Sequence, residues 1–156
     1  MRNMAEEELI RVPITMKLTY NYAAGHYFSK FLTSLKEERK IMGVKCPKCE
    51  RVYLPPRPVC GNCFEKMDEW VEISDKGTVR AYTVVFQPFI DGRTGKPRPA
   101  PYGMALIQLD GADTTLNYYL EESDLKKLSI GTRVQAVWRE ELQGNMSDIL
   151  YFRIIK

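Results

Sequence analysis

The residues of this chain best suited to chemistry are its four cysteines, which fall in two closely spaced pairs. Two residues separate Cys46 from Cys49, ten residues follow, and Cys60 and Cys63 then repeat the first spacing. One tight turn can aim two thiolates spaced in this way at a single ion, and two such turns complete a tetrahedral site of four sulfurs. The spacing therefore predicts one metal ion bound by Cys46, Cys49, Cys60 and Cys63.

The chemistry of four sulfur ligands leaves two metals open. Zinc and iron both suit such a site, and zinc is favoured for a structural role because it needs no redox partner. Two disulfides or four inert buried thiols are the competing interpretations, but neither explains two identical pairs within one short segment. A site closed by four thiolates has no open position for a catalytic water. We therefore expect a structural metal.

Groups able to act as nucleophile or base are scarce elsewhere in the chain. If all four cysteines bind metal, no thiol remains as a nucleophile. His26 is the single histidine of the 156 residues, and its aromatic-rich surroundings favour packing over acid–base chemistry. The sequence contains no serine-hydrolase elbow, phosphate loop or dinucleotide fingerprint. The chain is thus predicted to be poorly equipped for catalysis by itself.

The composition, with 44% hydrophobic and 28% charged residues, is that of an ordinary globular protein. Its longest apolar runs are far short of the roughly 18 residues that cross a bilayer. The N-terminus is acidic and has no hydrophobic signal region. We expect a cytoplasmic protein with no membrane partner.

The elements that must position the cysteines are predicted in three parts. Residues 1–43 form an N-terminal arm and amphipathic helices, with a β-like run at 10–14 and helix from about 21 to 42. Residues 44–68 form the zinc ribbon, and residues 69–156 form a barrel.

Strands are predicted from alternating apolar residues bounded by turn residues, and they lie at 70–73, 78–86, 103–109, 114–120, 133–138 and 149–154. A helical turn with Ser123 as its N-cap is expected at 123–128. Short antiparallel strands with one interposed helix fit a small barrel of the OB type. The predicted fold class is mainly β with N-terminal helices, a rubredoxin-like zinc ribbon and a small antiparallel OB-fold barrel.

The segment from 87 to 102 is long for a turn in a small barrel. It holds four prolines and two glycines, and loops of this length are usually functional or disordered. It also carries Arg93, Lys96 and Arg98 against a single Asp91. Two interpretations stay open: a solvated hairpin, or a loop that closes over an anionic ligand or docks on a partner.

Positive charge is also concentrated around the predicted ribbon. Residues 30–57 contain eight Lys or Arg and three Glu, a net charge of +5 against +3 for the whole chain. Such a basic region could bind phosphates of a nucleic acid or a nucleotide-like cofactor. An ordinary solvated surface is the alternative.

Several segments together carry a resemblance to a known family. They are an N-terminal helix placed just before a Cys-Pro-x-Cys motif, and the stretches 53–60, 77–79, 82–85, 101–103 and 130–134. Over about residues 20–155 the chain resembles the zinc-ribbon plus OB-fold family of acyl-CoA-associated proteins, small partners of thiolases and related acyl-CoA enzymes. It departs from that family at Glu50 and Phe64, where glycine is common, and in its longer loop at 87–102.

The resemblance implies a non-catalytic subunit in a hetero-oligomer. A thiolase-like partner would supply the catalytic cysteine and histidines for thiolytic carbon–carbon cleavage or acyl transfer. This chain would assist assembly and the binding of the CoA thioester, and its zinc would be structural.

Two sets of residues are expected to serve that role. Cations near the phosphates of CoA form charge-assisted contacts, and the same charges could instead dock the partner; the candidates are Arg57, Arg93, Lys96 and Arg98. The N-terminal helical stretch holds more aromatic surface than a small ribbon can bury. We expect it to form a partner interface through Tyr20, Tyr22, Tyr27, Phe28, Phe31, Leu32 and Leu35.

Two other functions remain as alternatives. A ribbon joined to an OB barrel also describes binders of single-stranded nucleic acid, with stacking aromatics at Tyr82, Phe86, Tyr118 and Tyr119. The net charge of only +3 and the acidic residues at 121, 122 and 124 argue against nucleic acid. A rubredoxin-like electron carrier is the second alternative, and it would require iron.

Overall fold

The chain begins with one helix and continues almost entirely as strands. A computed structural model describes residues 23–90 and 95–155. The described elements are helix α1 (Gly25–Glu38) and strands β1 (Ile41–Lys45), β2 (Val52–Tyr53), β3 (Glu69–Ile73), β4 (Lys76–Val85), β5 (Tyr102–Leu109), β6 (Leu116–Leu120), β7 (Arg133–Trp138) and β8 (Ile149–Ile154). This arrangement confirms the mainly β fold with an N-terminal helix.

Helix α1 ends earlier than its sequence pattern predicts. Arg39 adopts a left-handed conformation with φ of 55°, and the Lys40 N–H bonds back to the Ser34 carbonyl at 3.2 Å, as in a Schellman motif. The predicted extension of the helix to Met42 is therefore wrong. Residues Ile41–Lys45 are a strand instead, because all five of them pair with β3.

Strands β2, β1 and β3 form a three-stranded antiparallel sheet with β1 in the centre. The strand predicted at 70–73 exists, but it pairs with β1 and not with the barrel strands. Only two residues separate the end of β3 at Ile73 from the start of β4 at Lys76. The sheet therefore leads directly into the barrel.

The remaining strands close into a five-stranded barrel in the order β4-β5-β6-β8-β7. Antiparallel pairing joins β4 to both β5 and β7, and the single parallel contact joins β6 to β8 at Leu120 and Phe152. Alternate residues of the strands point inward, as β5 shows with Ala105, Ile107 and Leu109 all buried. A closed five-stranded barrel of this kind is the OB architecture.

One apolar core joins the helix to the barrel. Phe31 and Leu35 lie one turn apart on α1 and are fully buried in the same cluster as Val79 of β4 and Phe152 of β8. Complete burial of a Phe or Leu side chain contributes roughly 1.5–3 kcal/mol. The helix is thus an integral part of the folded unit.

The helical turn predicted between β6 and β7 does not form a helix. It has one hydrogen-bonded turn, from the Lys127 N–H to the Asp124 carbonyl at 3.0 Å, and no helix is formed at 123–128. The carboxylate of Glu122 accepts the N–H groups of Ser123 and Asp124 at 3.0 and 2.8 Å. Glu122, and not Ser123, therefore provides the cap.

The loop between β7 and β8 is organised around a buried carboxylate. Asp148 is fully buried and accepts the backbone N–H groups of Gln143, Gly144 and Asn145 at 2.8, 2.7 and 3.2 Å. The Asn145 side chain accepts the Ser147 N–H at 2.8 Å and caps a short 3-10 helix, Met146–Asp148. These bonds hold the loop beside α1, where Gly144 approaches Lys36.

We predict that Asp148→Asn destabilises the protein by roughly 1–3 kcal/mol, because the amide nitrogen would face backbone donors and leave at least one of them unsatisfied inside the protein. The measurement is the free energy of unfolding in denaturant. The control is Asp124→Asn, which removes charge from an exposed side chain that also accepts a backbone N–H, from Lys126, and should change stability by less than about 0.5 kcal/mol. Equal losses in the two variants would contradict this role for Asp148.

Candidate metal centre

The first cysteine pair lies in the turn that follows β1. Two backbone hydrogen bonds shape this turn: the Cys46 N–H donates to the Arg51 carbonyl and the Glu50 N–H donates to the Cys46 carbonyl, both at 2.9 Å. Glu50 has a φ of 59°. The chain can therefore reverse within one tight turn and enter β2.

The second pair repeats the same turn. The Cys60 N–H donates to the Glu65 carbonyl at 2.9 Å, and the Phe64 N–H donates to the Cys60 carbonyl at 3.1 Å. Phe64 has a φ of 58°. Glu50 and Phe64 are the positions where the resembling family commonly has glycine, which adopts left-handed backbone without strain. The two turns keep the same geometry although neither contains glycine at this position.

The four sulfur atoms converge on one point. The Sγ atoms of Cys46 and Cys63 are 3.4 Å apart, those of Cys49 and Cys60 are 3.5 Å apart, and all four lie within 4.8 Å of one another. These separations bracket the edge of about 3.8 Å expected for a tetrahedron with Zn–S bonds of ~2.3 Å. All four cysteines are free thiols. The donor set fits a single tetrahedral ion, as the spacing predicts.

Hydrogen bonds at the site favour ionised sulfur at Cys60. Burial by itself raises the pKa of this thiol, but hydrogen bonds from the Tyr53 hydroxyl and from the backbone N–H groups of Cys63 and Asn62 outweigh burial and lower the pKa to about 5. In contrast, burial and the neighbouring Cys46 raise the pKa of Cys63 to about 12. The four sulfurs therefore become thiolates together only with a cation among them.

Tyr53 is a site residue that the cysteine motif does not reveal. Its hydroxyl lies 3.3 Å from the Cys60 Sγ, and its ring is buried in the small cluster that packs around the sulfurs. Its orientation follows from the alternation of side chains along β2: Val52 is half-buried, whereas Tyr53 is buried.

Helix α1 is attached to the ribbon at its first turn. The single hydroxyl hydrogen of Tyr27 is shared between the Asp68 carboxylate, at 2.6 Å, and the Met67 carbonyl, at 2.8 Å. Its ring stacks on Trp70 with centroids 5.7 Å apart, and the Lys30 Nζ lies 4.5 Å from the Trp70 ring centroid. His26, at the start of the helix, is exposed and packs edge-on against Tyr27.

The helix residues expected at a partner interface divide into three groups. Phe31 and Leu35 are fully buried in the core of this chain itself, so the expectation of a partner interface is corrected for these two. Half-buried side chains that retain some surface are Tyr27, Phe28 and Leu32. Tyr20 and Tyr22 lie outside the described residues.

The cation expected in the ribbon is held in a defined position. The Arg57 guanidinium lies 4.0 Å from the centroid of the Tyr53 ring. It also lies against Gly61, where an added Cβ would collide with the Arg57 Nη2. Arg57 is exposed, so a guanidinium beside the metal centre is presented to solvent in a fixed orientation.

The cations expected in the long loop lie on the barrel side. The Arg98 guanidinium is 3.7 Å from the centroid of the Tyr119 ring, and Lys96 is exposed. Arg93 lies outside the described residues. Arg57 therefore lies on the ribbon and Arg98 on the barrel. None of the described contacts connects these two arginines.

The four barrel aromatics considered for stacking bases differ in burial, and Tyr82 is half-buried. Tyr118 is buried, and its single hydroxyl hydrogen is shared between the carbonyls of Ile149, at 2.6 Å, and Met146. Arg98 lies over Tyr119, while Phe86 is exposed. In the described part of the chain no helix is both long and apolar enough to span a membrane.

The fold and the cysteine site together define a zinc-ribbon protein with an OB-fold barrel. Residues 33–68 match the rubredoxin-like zinc ribbon domain of ChsH2, and residues 70–139 match the C-terminal OB-fold domain of ChsH2. A DUF35 domain-containing scaffold protein of Methanocaldococcus jannaschii is 35% identical over 107 residues, which are 67% of this chain and 72% of the relative. The chain belongs to this DUF35 family of ChsH2-type zinc-ribbon and OB-fold proteins.

Other relatives agree with this assignment. A DUF35 domain-containing scaffold protein of Methanothermobacter thermautotrophicus is 29% identical over 120 residues, covering 76% of this chain and 86% of the relative. The structure is similar to the Ltp2-ChsH2(DUF35) aldolase, with a TM-score of 0.59, 26% identity and coverage of 85% of this chain and 98% of that one. It is also similar to a DUF35 protein of unknown function from Sulfolobus solfataricus, with a TM-score of 0.56, 28% identity and coverage of 80% and 81%.

We predict that the protein binds one zinc ion per chain and that Cys60→Ser abolishes tight binding and unfolds the ribbon, because a closed site contributes folding energy directly. Metal content and thermal unfolding should be measured on the same samples. A metal-free wild-type protein that is as stable as the zinc-loaded one would contradict a structural role.

A second prediction concerns the hydroxyl next to the metal ligands. Tyr53→Phe should keep the fold but weaken zinc binding by about 10–100-fold, because it removes a hydrogen bond to a ligand sulfur. Competition with a chromophoric chelator measures the affinity. Tyr151→Phe, which removes a hydroxyl 3.3 Å from Arg153 on the barrel, is the matched control and should leave zinc affinity unchanged. Equal affinity in all three proteins would show that Tyr53 only packs.

Proposed function

We propose that this chain is a non-catalytic accessory subunit of a thiolase-type acyl-CoA enzyme complex. It assists complex assembly and binding of the CoA thioester, while a partner subunit supplies the catalytic residues. The observation that carries the proposal is the commitment of every cysteine in the chain to one four-sulfur site. Thiolase chemistry needs a nucleophilic thiol and a base to activate it, so both must come from another chain.

The relatives support an accessory role. Two of them are named scaffold proteins, and the name of a third joins a DUF35 component to an aldolase. Thiolases and aldolases both make and break carbon–carbon bonds. That last relative also favours a second candidate function, an accessory subunit of an aldolase complex.

The metal has a structural part in this proposal. Zinc bound by the four cysteines would cross-link the two turns and contribute folding energy. The CoA thioester would be bound by residues that face solvent near the metal, above all by Arg57. Because free thiols persist in a reducing compartment, a cytoplasmic location belongs to the same proposal.

Arg57 is the cation best prepared for a phosphate of CoA. Its stacking on Tyr53 and its contact with Gly61 restrict the guanidinium before any ligand arrives. Pre-ordering lowers the entropy lost on binding, and a planar guanidinium matches a phosphate in a two-point contact. Arg98 is restricted in the same way by Tyr119. Arg93 and Lys96 are included in the proposal because they lie in the same loop, 87–102, as Arg98.

The test for Arg57 uses two different changes. In the reconstituted complex, Arg57→Gln removes the charge, whereas Gly61→Ala keeps the charge and displaces the guanidinium. Both should raise the KM for the CoA substrate about tenfold, the equivalent of ~1.4 kcal/mol for a lost charged hydrogen bond. Arg51→Gln, at another exposed arginine of the ribbon, is the control. An unchanged KM in both variants would exclude Arg57 from the CoA site.

A second test separates CoA binding from docking. Charge-removing substitutions at Arg93, Lys96 and Arg98 should raise the KM and leave assembly with the partner intact, as measured by light scattering. If assembly fails while the remaining complex has a normal KM, the loop docks the partner.

The isolated chain should show no thiolase activity, and turnover by it alone would overturn the accessory role.

A further inference from the structure

One aromatic side chain of the ribbon is exposed to solvent without any gain for the fold. Phe64, in the second cysteine turn, is 82% exposed, and the next most exposed large apolar side chain of the described residues is Ile90 at 71%. Phe64 is a member of neither apolar cluster formed by the described residues. Because an aromatic side chain stabilises a fold through its burial, this ring contributes nothing to either cluster.

The backbone of Phe64 is unfavourable as well. Its φ of 58° is left-handed, a conformation that glycine adopts without strain and that a Cβ disfavours. Glu50 holds the equivalent position of the first turn with a φ of 59°, but its carboxylate lies 3.4 Å from the Lys45 Nζ. Glu50 therefore has a partner within the chain, whereas the Phe64 ring has none among the described contacts. Strained residues of this kind are concentrated at functional sites.

The second cysteine turn presents this ring on an ordered backbone. The Cys60 N–H donates to the Glu65 carbonyl at 2.9 Å, and the Phe64 N–H donates to the Cys60 carbonyl at 3.1 Å. Two of the four converging sulfurs, those of Cys60 and Cys63, belong to the same turn. A preordered backbone loses little entropy on binding, so an aromatic side chain on it is well suited to anchor a partner.

The exposure of Phe64 and the charge around it indicate what covers the ring. Small ligands are bound in concave sites that enclose most of their surface, whereas a protruding aromatic ring has the form of an anchor that enters a pocket on another protein. Residues 30–57 carry eight Lys or Arg against three Glu, and Lys48 of the first cysteine turn is exposed. The complementary face is therefore apolar at its centre and negatively charged around it.

We propose that Phe64 inserts into an apolar pocket of the catalytic partner subunit, on a face with net negative charge. This inference rests on the proposed accessory function and names the surface that docks the partner. Arg57 contacts Gly61 of the same turn. Docking of the ring therefore places this guanidinium at the boundary between the two subunits, where CoA bound by the partner can reach it.

A second copy of this chain is a less suitable partner. The apolar groove of about 400 Å³ on the barrel is lined only by uncharged residues, among them Ala81, Thr83 and Leu106, so it does not complement the basic ribbon. Entry of Phe64 into that groove of another copy would also be a head-to-tail contact, which does not close into a two-fold dimer.

The test compares variants of the zinc-loaded full chain, with the catalytic subunit of the reconstituted complex as the binding partner. Phe64→Gly should raise the Kd for that subunit by about 30-fold or more, the loss typical of an anchor residue. Phe64→Leu should recover most of the affinity, because the pocket is apolar. Glu50→Gly makes the same backbone change in the first turn and should alter the Kd by less than about threefold. Isothermal titration calorimetry measures each Kd.

Measurements on the isolated chain separate docking from folding. Since glycine relieves the left-handed backbone, Phe64→Gly should bind one zinc ion and unfold at the temperature of wild type or above it. Loss of zinc or a lower unfolding temperature would show that the ring is structural and would overturn the proposal. Equal Kd values for wild type and Phe64→Gly would overturn it and leave the accessory function intact. Failure of wild type to bind the catalytic subunit would overturn both.

Two further measurements detect other partners of the ring. Sedimentation equilibrium of the isolated wild type would reveal a second copy, as self-association that disappears in Phe64→Gly. Flotation with vesicles of phosphatidylcholine and phosphatidylglycerol examines a lipid surface, which an aromatic ring beside basic residues also suits. Binding through Phe64 in either measurement would overturn the assignment to the catalytic partner. A monomer that does not bind the vesicles supports it.

Discussion

Convergence of four sulfur atoms is the constraint on which the structure depends. Four thiols whose sulfur atoms lie within 4.8 Å of one another resist ionising together, and a divalent cation removes that conflict. The cation also fixes the ends of β1 and β2, since the first cysteine turn directly joins these strands. Because β3 pairs with all of β1 and continues into β4, the position of the metal is transmitted along the backbone to the barrel.

Helix α1 adds a second connection between ribbon and barrel. Its first turn is tied to the ribbon through Tyr27 and Asp68, and Phe31 and Leu35 in its middle are buried in the apolar core that continues into the barrel. A ribbon held by both a continuous strand and a packed helix has little freedom to rotate against the barrel. Arg57 on the ribbon and Arg98 on the barrel, each stacked on a tyrosine ring, therefore keep a defined spatial relation to each other.

The sequence predicts most of this structure where local chemistry decides it. The cysteine spacing identifies the metal site, and alternation locates β7 and β8 with the observed bounds. Long-range contacts decide the rest. The helical period shows that Phe31 lies on an apolar face, but not that this face is buried in the core of the chain itself. Pairing with β1 places β3 in the ribbon sheet, and a period of two cannot reveal a pairing partner. The loop around Asp148 depends on three backbone donors that no motif marks.

The two turns of the metal site also show why a departure from a family pattern need not change geometry. Glu50 and Phe64 occupy left-handed backbone, which costs a non-glycine residue roughly 1–2 kcal/mol, and Phe64 is in addition 82% exposed. Zinc binding to a four-ligand structural site supplies about 10–16 kcal/mol. The metal therefore outweighs the strain of both turns together, and the backbone follows the ligand geometry. Strain of this kind persists where the surrounding structure over-determines the conformation; here two hydrogen bonds in each turn do so, and a bound ion would add to them.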